Sequence, residues 1–325
     1  MKKILFIVTS IIIVFALIMI LNLKLNHENR EKIITIGILN INTGLKAVIY
    51  GFKTGMQKYK YVEGKNINYI YNSTLNMHEL DGEIKSMIEK HVDMFLTIST
   101  PIAKYAKLAL ENKNIPIVFA SVLLPVKSGI IDSLIHPGGN ITGIQVGGST
   151  EKALEWHKTI LPNSKCILVP YVPNDEASKY SLANLEKAAA KLNIKLIIKQ
   201  VFTSDDLKSV LETIPKEADS IWLLNSNFLV SNIKIFTDSA IRHKIPLSSG
   251  TSQYKSGVLV SYGQDPFETG IQASRLAHNI LHGVSPSDLP VETADFFLGI
   301  NLKTAELIGI KIPDDILQQA DGIVR

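Results

Sequence analysis

The 325-residue chain holds a single cysteine, Cys166. One thiol can make neither an internal disulfide nor a cysteine-rich zinc site, so the cysteines say nothing of the redox compartment. Basic charge is not concentrated either. The 34 Lys and Arg against 30 Asp and Glu leave a net charge of +4, spread along the sequence. A basic block of the kind that marks a nucleic-acid groove is absent, and no nucleic-acid partner is expected. Enzyme signatures are missing too. After the first apolar run stands Ile38-Leu39-Asn40-Ile41-Asn42-Thr43-Gly44, where a dinucleotide-binding enzyme would carry Gly-x-Gly-x-x-Gly. There is no Walker loop, no Gly-x-Ser-x-Gly elbow and no His-Glu-x-x-His. The eight histidines are scattered, and only His278 and His282 share a helical spacing. Without a third ligand that pair reads as a solvated helix end. Asp205-Asp206 and Asp314-Asp315 read as helix-start charges. Trp156 and Trp222 lie inside apolar periodic runs and read as core. No catalytic residue, metal or cofactor is expected.

What the chain does have is 46% hydrophobic and 20% charged residues, a globular balance. Its length suits two lobes, each with its own core. The N-terminus is distinctive. Met1-Lys2-Lys3 precedes a run from Ile4 to Leu23 without a charge. Roughly 20 such residues span a bilayer as a helix. The two lysines keep the start in the cytoplasm and send the rest outward. No small-residue cleavage site follows Leu23, which favours an uncleaved anchor over a signal peptide. No cysteine follows the run to carry a lipid. Residues 1–32 are thus assigned to a signal anchor or signal peptide and its spacer. The globular part is expected outside the membrane, tethered there, or released if the signal is cleaved.

Beyond the spacer, short apolar runs alternate with helical spacings. Ile33–Leu39, Ile67–Tyr71, Met94–Ile98 and Ile115–Ala120 predict strands. Ala47–Tyr59, His78–Lys90 and Ile102–Leu110 predict the helices between them. Strands apolar on both faces and separated by helices indicate a covered parallel sheet. A turn-rich break follows at 128–148, with Pro137-Gly138-Gly139-Asn140 and Gly147-Gly148. The pattern then restarts. Strands are predicted at Cys166–Val169, Ile194–Ile198, Ile221–Leu224 and Pro246–Ser248. Helices are predicted at Glu151–Leu161, Tyr180–Leu192, Asp205–Thr213 and Val230–Arg242, with Ser178 as an N-cap. The expected class is α/β, with two doubly wound parallel-sheet lobes and a ligand cleft at their strand C-terminal ends.

Several segments carry a resemblance. They are Gly51-Phe52 with Tyr61-Val62-Glu63-Gly64-Lys65-Asn66-Ile67, then Ile115-Pro116-Ile117-Val118-Phe119-Ala120. Pro137-Gly138-Gly139-Asn140-Ile141-Thr142-Gly143 follows, then Ile280-Leu281-His282-Gly283 and Leu289-Pro290-Val291-Glu292. Asn301-Leu302-Lys303-Thr304-Ala305, Leu307-Ile308-Gly309-Ile310 and Ile312-Pro313 close the series. In this order and spacing the chain resembles the ABC-transporter substrate-binding proteins of the tryptophan and tyrosine type. The resemblance implies a type I periplasmic-binding fold, with two lobes joined by a three-strand hinge. It implies crossings near Ile144-Gln145, Thr251–Tyr254 and Thr293-Ala294. Lobe 1 would then be residues 33–145 plus 254–292, and lobe 2 residues 146–253 plus 293–325. It implies a solute-binding protein, not an enzyme, that captures an amino-acid-like or other small polar or carboxylate ligand. The implied partners are that ligand, an ABC permease and an ATPase, with the membrane reached through the N-terminal helix. The alternative use of the same fold is the extracellular sensing input of a signalling system.

In such a fold the ligand meets loops that follow strands. In lobe 1 these are Asn42 and Thr43, Ser99-Thr100 before Pro101, and Ser121-Val122. Ser99-Thr100-Pro101 is the sharpest: a hydroxyl pair and a proline at a helix start expose backbone N–H groups suited to a carboxylate. In lobe 2 the candidates are Tyr171, Asn174, Ser178, Ser226-Asn227 and Ser248-Ser249, while Gln264-Asp265 would close the cleft from lobe 1. The sequence departs from amino-acid-binding relatives at three places. Leu124, Ala177 and Ser226 stand where those relatives carry acidic or amide groups. A ligand ammonium in a closed cleft needs an anionic or strongly polar partner, so these departures bear on the ligand's charge.

Overall fold

Apolar residues on both faces make the first-lobe strands. In β3, Met94–Ile98, every residue is buried. Met94, Leu96 and Ile98 pack on one side of the sheet and Phe95 on the other, the two-residue alternation of a pleated strand. The computed structural model describes residues 33–41, 43–73 and 76–325. The expected N-terminal helix and Asn42 lie outside these residues. Among the described residues no helix is long and apolar enough to cross a membrane.

The strands in chain order are β1 Ile34–Leu39, β2 Ile67–Tyr71, β3, β4 Ile117–Leu123, β5 Ile141–Val146, β6 Cys166–Tyr171 and β7 Lys195–Gln200. They continue with β8 Ser220–Leu223, β9 Leu247–Ser249, β10 Val260–Gln264, β11 Glu292–Thr293, β12 Phe296–Asn301 and β13 Gly322–Val324. The helices used below are α1 Lys46–Lys58, α2 Leu80–Glu89, α3 Thr100–Ala109, α4 Thr150–Ile160 and α5 Glu176–Lys191. They are followed by α6 Ser204–Glu212, α7 Asn227–Ser231, α8 Ile233–His243 and α9 Pro266–Leu281.

Among the described residues the strands form two sheets, ordered β2-β1-β3-β4-β5-β11 and β7-β6-β8-β9-β10-β12-β13. All pairs in the first are parallel. The second is parallel except where β12 runs antiparallel to β10. Helices cover both faces of each sheet, giving the two α/β lobes of a periplasmic-binding-protein fold.

One expected boundary moves. Residues 254–292 were assigned to lobe 1, yet β10 sits inside the second sheet, between β9 and β12. The chain returns to lobe 1 only after Gln264, through α9, which packs on α1. The second crossing therefore lies at Gln264-Asp265, not at Thr251–Tyr254. The resemblance gives the order of the crossings but not on which side of β10 the second one falls.

The α1–α9 contact is unusually close because glycines form it. A Cβ at Gly270 would collide with the Val48 carbonyl oxygen and lie 2.6 Å from the Phe52 backbone nitrogen. The sequence places glycine where two helix backbones meet, as close approach requires.

Hydrogen bonds tie the three crossings together. Gln264 Nε2 donates to the Gly147 carbonyl at 3.2 Å, and Gln264 Oε1 accepts from the Gly147 N–H at 3.0 Å. Ala294 N–H donates to the Gln145 carbonyl at 2.9 Å, and Gln145 Nε2 donates to Thr293 Oγ1 at 3.0 Å.

Candidate functional site

The strand ends of both sheets face a cleft of about 910 Å³. Its first-lobe wall is built at the end of β4 and the start of α3. The β4–β5 register shifts between Phe119 and Val122, a bulge that Ser121 occupies at φ +56°. Leu124 follows at φ +50° and Ser99 stands at φ +84°. Three non-glycine residues in left-handed backbone, all lining one cleft, store strain of about 1–3 kcal/mol each.

Ser99 and Thr100 line this wall with Pro101. Ser99 is the N-cap of α3, but its side chain makes no capping bond. Thr100 is engaged: Oγ1 accepts from the Leu123 N–H at 3.0 Å, which fixes α3 to the end of β4. Ser121 also lines the cleft. Val122 does not. Its side chain is fully buried in the first-lobe core, because the bulge at Ser121 changes which residue faces out. Thr43 opens the turn before α1, at the cleft's Gly44 and Leu45.

The second-lobe wall comes from the start of α5 and the ends of β8 and β9. Asn227 lines it, beside Asn225. Ser226 is buried and caps α7, its hydroxyl accepting from the Leu229 N–H at 3.4 Å. Ser178 is fully buried, and its Oγ accepts from the Val172 N–H at 3.1 Å. The cap of α5 is Asp175 instead, which accepts from Ala177 N–H at 2.9 Å, so the helix starts earlier than the apolar spacing suggests. Tyr171 packs against the second-lobe core, and Asn174 is exposed in a turn. Ser249 is buried, donating to the Leu223 carbonyl at 3.1 Å. Ser226, Ser178, Tyr171, Asn174 and Ser249 do not form the cleft wall: the three serines satisfy backbone groups, Tyr171 packs on the core and Asn174 stands in an exposed turn. Asp265 caps α9, accepting from Phe267 N–H at 2.8 Å, and stands 3.8 Å from Lys255.

The cleft also contains charges that no local motif announces. Lys104 and Lys127 come from lobe 1, and Lys179 and Glu176 from lobe 2. Lys179 Nζ donates to Glu176 at 2.6 Å. That bond holds the Glu176 carboxyl below the usual carboxylate range and raises Lys179. Lys127, across the cleft, adds to the hold on Glu176. Tyr180 and Leu123 supply apolar surface between the charges.

His278 departs from a simple solvated helix end. Its ring stacks on Tyr59 at 4.1 Å and meets His282 at 4.2 Å, and burial followed by the neighbouring His282 lowers its pKa. Among the described residues no group of His, Cys, Asp and Glu is arranged to hold a metal.

Two sheet lobes, three crossings and a cleft between strand ends are the architecture of a two-lobed binding protein. The family model for the ABC transporter substrate binding protein matches residues 34–324, and the chain belongs to that family. The family consists of solute-binding proteins, not enzymes. A tyrosine-binding protein of Clostridioides difficile (strain R20291) is 31% identical over 274 residues, 84% of this chain and 79% of that one. The crystal structure of a conserved domain protein from Vibrio cholerae is similar with a TM-score of 0.73 and 31% identity, covering 90% of this chain and 99% of that chain. The ligand-free, open structure of a substrate binding protein with adhesive properties from Clostridium difficile gives 0.74 and 26%, covering 90% and 98%.

Proposed function

We propose that the protein captures an aromatic solute of amino-acid size in the interlobe cleft and delivers it to an ABC permease and its ATPase. The observation that carries this reading is the cleft itself. Its walls come from both lobes, so a bound solute bridges them and favours closure about the crossings. Similarity to a tyrosine-binding protein supports the solute class. Of the sequence-predicted residues, Ser99, Thr100, Ser121, Asn227 and Gln264 line the cleft; the first four are assigned to the ligand, and the Gln264 side chain is engaged with Gly147.

The test is thermal unfolding of the detergent-solubilised full chain against L-tyrosine, L-tryptophan and their 2-hydroxy acids. A ligand at a hundredfold excess over its Kd should add about 2.7 kcal/mol of stability. Ala183 is exposed on the cleft wall, so Ala183→Trp fills the cleft without disturbing the core and should abolish the shift. An unchanged shift in that variant would place the ligand elsewhere.

The same reading puts the globular part outside the cytoplasmic membrane, held by residues 1–32. The charge-free run behind Lys2 and Lys3 supports it. Full-length protein should pellet with membranes and be digested by protease added to spheroplasts. Protease-resistant protein in the cytosolic fraction would refute the anchoring.

A further inference from the structure

The charges on the cleft walls do not balance. Lys104, Lys127 and Lys179 line it against one carboxylate among the described residues, Glu176. That carboxylate is already occupied by Lys179 at 2.6 Å. Neither Lys104 nor Lys127 joins an ion pair among the described residues. Asp265, close by, caps α9 and faces Lys255. The remaining polar surface is neutral: hydroxyls such as Ser99 and Thr251, and amides such as Asn225.

Closure makes this imbalance matter. In an open cleft water screens the lysines. When the lobes shut, water leaves and each uncompensated charge acts through a lower effective dielectric. A carboxylate gains from that field. An ammonium in the same cleft has no unengaged carboxylate to meet and is opposed by the lysines, and burying a charge without a partner is costly.

We propose that the cleft prefers a monoanionic aromatic acid, a 2-hydroxy or 2-oxo acid that lacks an α-ammonium, over the zwitterionic amino acid of the same skeleton. This rests on the solute-binding reading above and specifies its ligand. Leu123, Tyr180 and Val230 give the acid's apolar body a surface, and the lysines of both lobes give its carboxylate an attractive field.

Isothermal titration of the detergent-solubilised full chain compares L-tyrosine with 3-(4-hydroxyphenyl)lactate, in which a hydroxyl replaces the ammonium. L-tryptophan and indole-3-lactate form a second pair. In at least one pair the hydroxy acid should bind about tenfold more tightly than the amino acid at low salt, the size of two modest charge effects. The preference should shrink as salt is raised. The double variant Lys104→Met with Lys127→Met removes two exposed side chains from the cleft rim. With its melting temperature as a folding control, it should bring the ratio towards one. An amino acid that binds as tightly as its hydroxy acid, or more so, overturns the charge preference and leaves the aromatic-solute reading standing. Binding by neither member of either pair overturns the aromatic-solute reading and this proposal with it. A hydroxy-acid preference that survives in the double variant overturns the assignment to these lysines.

Discussion

Replacing Gly270 by alanine is expected to destabilise lobe 1 by about 2 kcal/mol, although alanine is the better helix former. The added methyl collides with the Val48 carbonyl, and the Phe52 nitrogen lies at 2.6 Å. Both belong to the backbone of α1, so no side chain can rotate away. The two helices must separate, and overpacking of this kind costs about 3 kcal/mol, of which the helix preference of alanine returns about 1. Gly82 supplies the opposite case. It lies exposed in α2 with open space around its Cβ position. Gly82→Ala should therefore stabilise the same lobe by about 0.5–1 kcal/mol. Chemical unfolding followed by circular dichroism reads both. Gly270→Ala at wild-type stability would mean that α1 and α9 do not pack as described. Tryptophan fluorescence is a control, because both tryptophans, Trp156 and Trp222, lie in lobe 2.

Much of this architecture is legible in the chain, and what is not has identifiable causes. β3 matches its predicted span, Met94–Ile98, because a five-residue apolar run between polar flanks is a local signal. The long helix predicted at Val230–Arg242 divides at Asn232, which ends α7 and precedes α8. Side-chain amides compete for backbone groups, and periodicity does not register that. The second crossing is misplaced because the resemblance does not say on which side of β10 it falls, and the pairing of β10 with β9 and β12 decides it. The cleft is legible in part. Ser99, Thr100, Ser121 and Asn227 follow strand ends and line it. Val122 turns inward because of a bulge whose left-handed residue, Ser121, is not a glycine. Lys104, Lys127 and Lys179 gave no signal, since each alone reads as a solvated face. Only the meeting of two lobes makes them a group.

Lobe 2 is expected to lose about 3 kcal/mol of stability between pH 6.5 and pH 4, and one side chain accounts for it. His157 on α4 is fully buried. Its Nδ1 is 2.8 Å from Ser248 Oγ and its Nε2 2.9 Å from Ser164 Oγ. Its ring meets Trp222 edge-on at 6.1 Å. Ser164 Oγ donates to Asp219 Oδ1 at 2.7 Å, and Asp219 Oδ2 accepts from the Cys166 N–H at 3.0 Å. Burial lowers the His157 pKa from 6.5 to about 4, against the opposing pull of Asp219 and with a smaller push from Lys158. The folded state therefore holds a neutral imidazole where the unfolded chain binds a proton. Above pH 6.5 the two states bind alike and the full stability is present. As pH falls from 6.5 towards 4 the unfolded state takes up the proton and stability drains away, by about 1.4 kcal/mol per unit. Asp219 acts in a lower window. Burial works to raise its pKa, but the N–H groups of Lys165 and Cys166 and the hydroxyls of Ser164 and Ser220 bring it below its usual 3.8. Its contribution is present above pH 3.8 and is lost only below that. Denaturant unfolding followed by tryptophan fluorescence isolates lobe 2, and Trp222 reports from beside the imidazole. His157→Gln keeps a polar side chain without a group that titrates in this range. It should start less stable at pH 7 and show a flattened slope between pH 6.5 and 4. A variant with the wild-type slope would assign the acid sensitivity of lobe 2 to some other group.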